Sequence, residues 1–250
     1  MKRLLIAANW KMNKTVGEAA RYIEDFVPRV AGWDKAETVI CPPFTCLPYL
    51  SEVLQHTHIH LGAQNIFWEA KGAFTGEISA AMLLDLHCRY VIVGHSERRQ
   101  LMGESDEDVN RKLKSASSAG LTPIFCVGET LPEREGGRAR AVVQRQLEQG
   151  LQGLDIQNLV IAYEPVWAIG TGLNASPADA QDMCGYIRNS LSGSRGRSWA
   201  ASILILYGGS VTAQNIRDFV EQPDINGALV GGASLDPEQF ARIVRLNTDA

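Results

Sequence analysis

Leu159-Val160-Ile161-Ala162-Tyr163-Glu164-Pro165-Val166-Trp167-Ala168-Ile169-Gly170-Thr171-Gly172 sets a short apolar run against one carboxylate, a proline and a glycine-punctuated tail. Residues 159–162 read as a buried strand, too short for a core helix. Glu164 stands at the carboxyl end of that strand. Pro165 makes a turn, and Gly170 and Gly172 free the far side of a loop. In α/β proteins ligands bind at the carboxyl ends of strands, so Glu164 is a candidate base. The stiff apolar residues 166–169 suit a lid that keeps water from a reaction. The alternative, an ordinary surface turn, leaves an exposed Trp167 and Ile169 unexplained.

Seven more runs of the same kind flank this one, at residues 4–8, 38–41, 59–63, 90–93, 123–127, 203–206 and 228–230. Each lacks polar alternation, as strands covered on both faces do. Helix signals fall between them. Ser105 precedes Asp106-Glu107-Asp108, with Val109, Leu113 and Ala116 at helical spacing and Gly120 as the stop. Thr130-Leu131-Pro132-Glu133 has capping-box form, and Ser176-Pro177-Ala178-Asp179 and Asp236-Pro237-Glu238 open helices with proline at the first position. The first helix, near residues 16–30, is weaker, because Pro28 should end or kink it. The Gly/Ser/Arg-rich residues 192–198 suggest a mobile helix end. The pattern predicts an α/β chain folded as one (β/α)8 barrel, eight parallel strands surrounded by helices, over residues 1–250. A doubly wound sheet is the alternative. Eight strands and the polar motif after the last one favour the barrel.

Composition agrees. The chain has 250 residues, 45% hydrophobic and 21% charged, enough for one large core without a linker. A net charge of −4 gives no reason to expect nucleic-acid or membrane-surface binding, though a local anion site is compatible with it. No stretch reaches the roughly 18 apolar residues of a membrane span. The apolar start is interrupted by Asn9-Trp10-Lys11, so it reads as a core strand of a cytoplasmic protein and not a signal peptide. Five cysteines without a Cys-x-x-Cys pair predict reduced, mostly buried thiols.

The unusual polar residues collect after strands. Asn9 and Lys11 follow the first, His95 and Glu97 the fourth, Glu164 the sixth, Gly208-Gly209-Ser210 the seventh and Gly231-Gly232 the eighth. All fall at the carboxyl end of the barrel. Two glycine pairs, with Ser210 and Ser234 near helix starts, expose backbone N–H groups and suit a phosphate. Lys11 adds positive charge. Ser96 opens a short helix, whose dipole should keep His95 neutral and able to donate. Glu97 could orient Lys11 or serve as a first-turn acid. His56, His58 and His60 have a metal-like spacing but lie at the opposite end, so no metal is expected there. A base, a neutral imidazole, a lysine, a phosphate clamp and a lid point to proton abstraction beside a carbonyl of a small phosphorylated substrate, without cofactor.

The chain resembles the triosephosphate isomerases in Asn9-Trp10-Lys11-Met12-Asn13, Cys41-Pro42-Pro43-Phe44, Gly72-Ala73-Phe74-Thr75-Gly76-Glu77, Gly94-His95-Ser96-Glu97-Arg98-Arg99, Cys126-Val127-Gly128-Glu129, residues 163–172, Tyr207-Gly208-Gly209-Ser210-Val211 and Val230-Gly231-Gly232-Ala233-Ser234-Leu235. These segments run through nearly the whole sequence in order. The resemblance implies interconversion of dihydroxyacetone phosphate and D-glyceraldehyde 3-phosphate, in glycolysis and gluconeogenesis. It implies Glu164 as base, His95 as electrophile, Lys11 and Asn9 at the anion with Glu97 beside them, and Gly170, Ser210, Gly231 and Gly232 at the phosphate. It also implies a homodimer in which the loop bearing Phe74 and Thr75 enters the neighbouring subunit. Another phosphate-binding barrel, such as an epimerase or aldolase-like enzyme, and a non-catalytic binding protein are the competing readings.

Overall fold

The computed structural model describes residues 2–168 and 175–248. Eight parallel strands close into a barrel in chain order: β1 Leu5–Asn9, β2 Glu37–Cys41, β3 Ile59–Ala63, β4 Tyr90–Val93, β5 Thr122–Val127, β6 Val160–Tyr163, β7 Leu204–Tyr207 and β8 Gly227–Val230. Ala7 lies opposite Val39 of β2 and Leu229 of β8, which seals the ring. These bounds differ from the apolar runs by about a residue, because pairing and not apolarity sets them. Glu37 therefore joins β2 although it is charged.

The strands carry two cores. Side chains at alternate positions, such as Leu5, Ala7, Val39, Ile92, Val160 and Leu206, fill the barrel interior. Their neighbours, such as Ile6, Ala8, Ile40, Val91 and Ile161, pack outward against the helices. Burial on both faces explains why the sequence shows continuous apolar runs instead of alternation.

Helix starts follow the sequence signals. Capping boxes form at Thr15–Glu18, Ser105–Asp108, Thr130–Glu133 and Ser176–Asp179. The first helix is stronger than the sequence suggests. It runs Val16–Val30, two residues past Pro28, and buries Tyr22, Ile23 and Phe26. Pro28 sits in the last turn, and Phe26 stacks on Phe240 of the final helix Pro237–Val244 at 5.2 Å. Tertiary packing overrides the local penalty. Residues 192–198 span the junction of two helices. Pro177–Arg195 and Arg197–Ser202 are separated only by Gly196, at φ +90°. Among the described residues no helix is long and apolar enough to cross a membrane.

All five cysteines are buried and free, and burial pushes the Cys88 thiol up to about 12. At the amino end of the barrel, His60 lies 3.3 Å from Glu37 and 3.1 Å from Arg89, while His56 and His58 are exposed. The three histidines do not converge.

Candidate active site

Strand alternation decides which residues face the carboxyl-end cavity. Leu5 and Ala7 point inward along β1, so Asn9 falls on the same side; Val160 and Ala162 do so along β6, and Glu164 is the next inward position. Asn9, Lys11, His95, Glu164, both glycine pairs and Ser210 line one cavity of about 340 Å³. The structure thus brings together residues from five strand ends.

Glu164 is placed by its backbone and held by its side chain. Its N–H donates to Val127 O at 2.8 Å, across the top of β5 and β6. This approach needs Gly128, where a Cβ would stand 1.7 Å from Glu164 O. The carboxylate lies 3.0 Å from His95 Nε2 and accepts the Ser96 N–H at 2.9 Å. Both side chains are nearly inaccessible to solvent.

His95 follows Gly94, which turns at φ +71°, and caps the helix Ser96–Leu101. Its Nδ1 accepts the Glu97 N–H at 3.2 Å, which assigns the ring proton to Nε2, facing Glu164. Burial opposes a charged imidazole, yet the adjacent Glu164 carboxylate outweighs it and raises His95 above its ordinary value. Burial also opposes the Glu164 anion, but His95 and the Ser96 N–H hold that carboxyl below the usual range. In the neutral ring, Nε2–H is the donor that faces Glu164. The carboxylate, whose nearness local sequence does not reveal, works against neutrality in this resting arrangement.

Lys11 sits at φ +51°. Its N–H donates to Asn9 Oδ1 at 3.0 Å, and Gln64 Nε2 donates to both Lys11 O and Cys41 O at 2.9 Å. These bonds fix a strained backbone that aims the ammonium at the cavity. Glu97 pairs with Lys11 Nζ at 2.6 Å. It is both a first-turn acid and the lysine's partner, and it does not itself line the cavity.

The glycines fit close approach. A Cβ on Gly208 would lie 2.9 Å from Glu164 Cγ, and one on Gly231 3.5 Å from Lys11 Cε. Gly170 lies outside the described residues. Ser234 stands at the end of the turn that begins at Gly231. It is fully buried and spends its hydroxyl on Gly231 O at 2.7 Å, so it shapes the turn and is not offered to a ligand.

The first residues of the segment that the sequence reads as a lid form the short 3₁₀ helix Val166–Ala168; Ile169 to Gly172 lie outside the described residues. Glu129, which the sequence showed only inside a motif, anchors this start. Its backbone O accepts the Val166 N–H at 3.0 Å, and its buried carboxylate accepts Trp167 Nε1 at 2.9 Å and Tyr163 OH at 3.1 Å. Burial raises the Glu129 carboxyl. Phe74 and Thr75 do not reach the cavity. Phe74 packs on Phe67 at 4.8 Å between ring centres and stays 43% exposed.

A carboxylate, an imidazole N–H, an ammonium and unshielded amides around one cavity can remove a carbon-bound proton and stabilise the resulting oxyanion.

Residues 4–247 match the family model described as triosephosphate isomerase. A protein of that name from Dictyoglomus thermophilum is 52% identical over 98% of this chain and 100% of its own length. Namesakes from Symbiobacterium thermophilum and Moorella thermoacetica are each 53% identical, over 100% and 98% of this chain and 99% and 98% of their own lengths.

Proposed function

Because the chain belongs to the triosephosphate isomerase family, and so interconverts dihydroxyacetone phosphate and D-glyceraldehyde 3-phosphate as in glycolysis, we propose a division of labour among its site residues. Glu164 takes the proton from the hydroxyl-bearing carbon beside the carbonyl and later delivers one to the former carbonyl carbon. His95 Nε2–H hydrogen-bonds the substrate oxygens and helps move the hydroxyl proton between them. Lys11 and Asn9 stabilise the enediolate charge, with Glu97 orienting the lysine. Gly231 and Gly232, with Ser210 and Gly170, hold the phosphate. The reaction moves protons and leaves the overall oxidation level unchanged, so the proposal includes no metal ion or redox cofactor.

The observation that carries this reading is the Glu164–His95 contact of 3.0 Å on the wall of the cavity shared with Lys11 and the glycine pairs. At rest the Glu164 oxygens are occupied by His95 and Ser96, so substrate must exchange these contacts before the carboxylate can act as base. A coupled isomerisation assay in the presence of a chelator tests it. Turnover without added metal is expected; no turnover of either triose phosphate would favour an epimerase, an aldolase-like enzyme or a binding protein.

The proposal extends to assembly. Met12 after β1, Phe74 and Met82 after β3, and Leu101 and Met102 after β4 are large apolar side chains left exposed. All follow the carboxyl ends of strands in one half of the barrel. A second copy covering them would make a homodimer, with residues 1–250 acting as one catalytic domain in the cytoplasm, without nucleic-acid or membrane partners. Burying Phe74 contributes about 1.5–3 kcal/mol. Phe74→Glu with Thr75→Arg should yield monomers of lowered activity by sedimentation and assay of one sample; fully active monomers would remove the link between assembly and turnover.

A further inference from the structure

Lys14 stands outside the cavity, yet its side chain joins two loops that line it. Its backbone lies at φ +75°, a left-handed conformation that favours glycine and costs a side-chain-bearing residue about 1–2 kcal/mol. Such a residue persists where surrounding contacts over-determine it. The contacts are present. Lys14 Nζ donates to Leu235 O at 2.8 Å and lies 4.6 Å from the Tyr22 ring centre and 5.4 Å from that of Trp10. Those two rings pack edge to face at 4.8 Å, so the ammonium rests on a rigid platform. Lys14 O accepts the Cys46 thiol at 3.4 Å.

Leu235 ends the 3₁₀ helix Gly232–Leu235, which begins at the cavity wall. The final carbonyls of a helix lack partners within it, and a cation is a favourable donor to them. The two loops also meet at a second point, where Gly231 lies beside Lys11 Cε. One contact would leave them free to pivot. Two contacts, Lys11 with Gly231 and Lys14 with Leu235, fix their relative orientation.

We propose that Lys14 is a positioning residue that locks the Lys11 loop to the turn of residues 231–235, so that the Lys11 ammonium and the Gly231 and Gly232 amides meet the substrate phosphate in one geometry. This rests on the phosphate role given to that turn above. Lys14 touches no substrate and acts through the two segments it ties.

Three variants test it: Lys14→Met, Lys14→Gly and Lys14→Arg, each assayed for kcat, KM, the inhibition constant of inorganic phosphate and the thermal midpoint. Loss of one charge-assisted hydrogen bond should raise KM and the phosphate constant roughly three- to tenfold in the Met and Gly variants, with kcat within about twofold. Lys14→Arg, which still donates and stacks, should restore both constants. Lys14→Gly separates positioning from folding, because glycine accepts φ +75° without strain. Its thermal midpoint should hold while phosphate affinity falls. Unchanged KM and phosphate constants in both variants, a fall in kcat alone, or losses that track the thermal midpoint and are not restored by arginine would each overturn the proposal. A wild-type protein that neither turns over triose phosphate nor binds inorganic phosphate would instead overturn the functional reading beneath it.

Discussion

Glu37 and Glu164 are carboxylates at opposite ends of one barrel, both held below the ordinary carboxyl range against the cost of burial. Glu37, at the amino end, is saturated by fixed donors. It accepts the Tyr90 hydroxyl and lies 3.1 Å from Arg3, 3.3 Å from His60 and 3.7 Å from Arg89. Glu164, at the carboxyl end, has one imidazole and one backbone N–H, and it borders an open cavity. The difference lies in what can be exchanged. Glu37 is tied by side chains from three other segments and faces no cavity wall of the site, so it braces the end of the barrel. Glu164 can trade a neutral amide and an imidazole for a substrate. The same alternation that aims both carboxylates inward yields stability at one end and chemistry at the other.

The comparison breaks first at Glu164. Glu164→Gln keeps the shape and removes the base, and turnover should fall about 10²–10⁴-fold. Inorganic phosphate should still bind. Near-normal kcat in a pure sample would remove Glu164 from the reaction.

Crowding the carboxylate should act more mildly. Gly208→Ala places a methyl 2.9 Å from Glu164 Cγ and 3.2 Å from Tyr163 O. Displacing the base by a fraction of an ångström should lower kcat about ten- to a hundredfold. An unaffected kcat would mean the carboxylate has room that this packing denies it.

At the other end the effect should move from rate to stability. Glu37→Gln leaves kcat per folded molecule unchanged and destabilises by about 1–2 kcal/mol at pH 7, discounted for the solvent that reaches Arg3 and Arg89. Its depressed pKa sets the sign. The stabilisation is present above the ordinary glutamate value and is lost as pH falls through the lower folded one. Denaturant unfolding across pH should show the wild type losing its advantage over the variant in acid. A constant difference at every pH would assign the effect to packing.

The smallest effect sharpens the pairing itself. Glu164 is what lifts His95 above its ordinary value, and burial acts the other way. Stability from the charged pair is therefore full below the ordinary imidazole value and is lost as pH rises through the raised one. In Glu164→Gln the His95 titration followed by NMR of the ring nitrogens should move to lower pH. An unmoved midpoint would mean the two groups are not coupled.

Much of this was legible in the sequence because it is written locally. Strand runs, capping boxes and the clustering of Asn9, Lys11, His95 and Glu164 after strands all depend on near neighbours and on one topology. What sequence hid depends on contacts across the chain. Gln64 bonds to Lys11 from 53 residues away, and Glu129 reaches Trp167 across 38. Neither glutamine nor glutamate in a loop announces a partner. Ser234 could be placed near a helix start from sequence, but only the fold shows its hydroxyl turned back on Gly231. Pro28 looked like a helix breaker because local propensity does not count Phe26 on Phe240.

The central claim is that Glu164 moves a carbon-bound proton through an enediolate. Isomerisation of dihydroxyacetone phosphate in D₂O, followed by NMR of the product, tests it most directly. The account predicts solvent deuterium at the carbon that gains the proton, with labelling and turnover falling together in Glu164→Gln. Turnover and labelling at the wild-type rate in Glu164→Gln would contradict it.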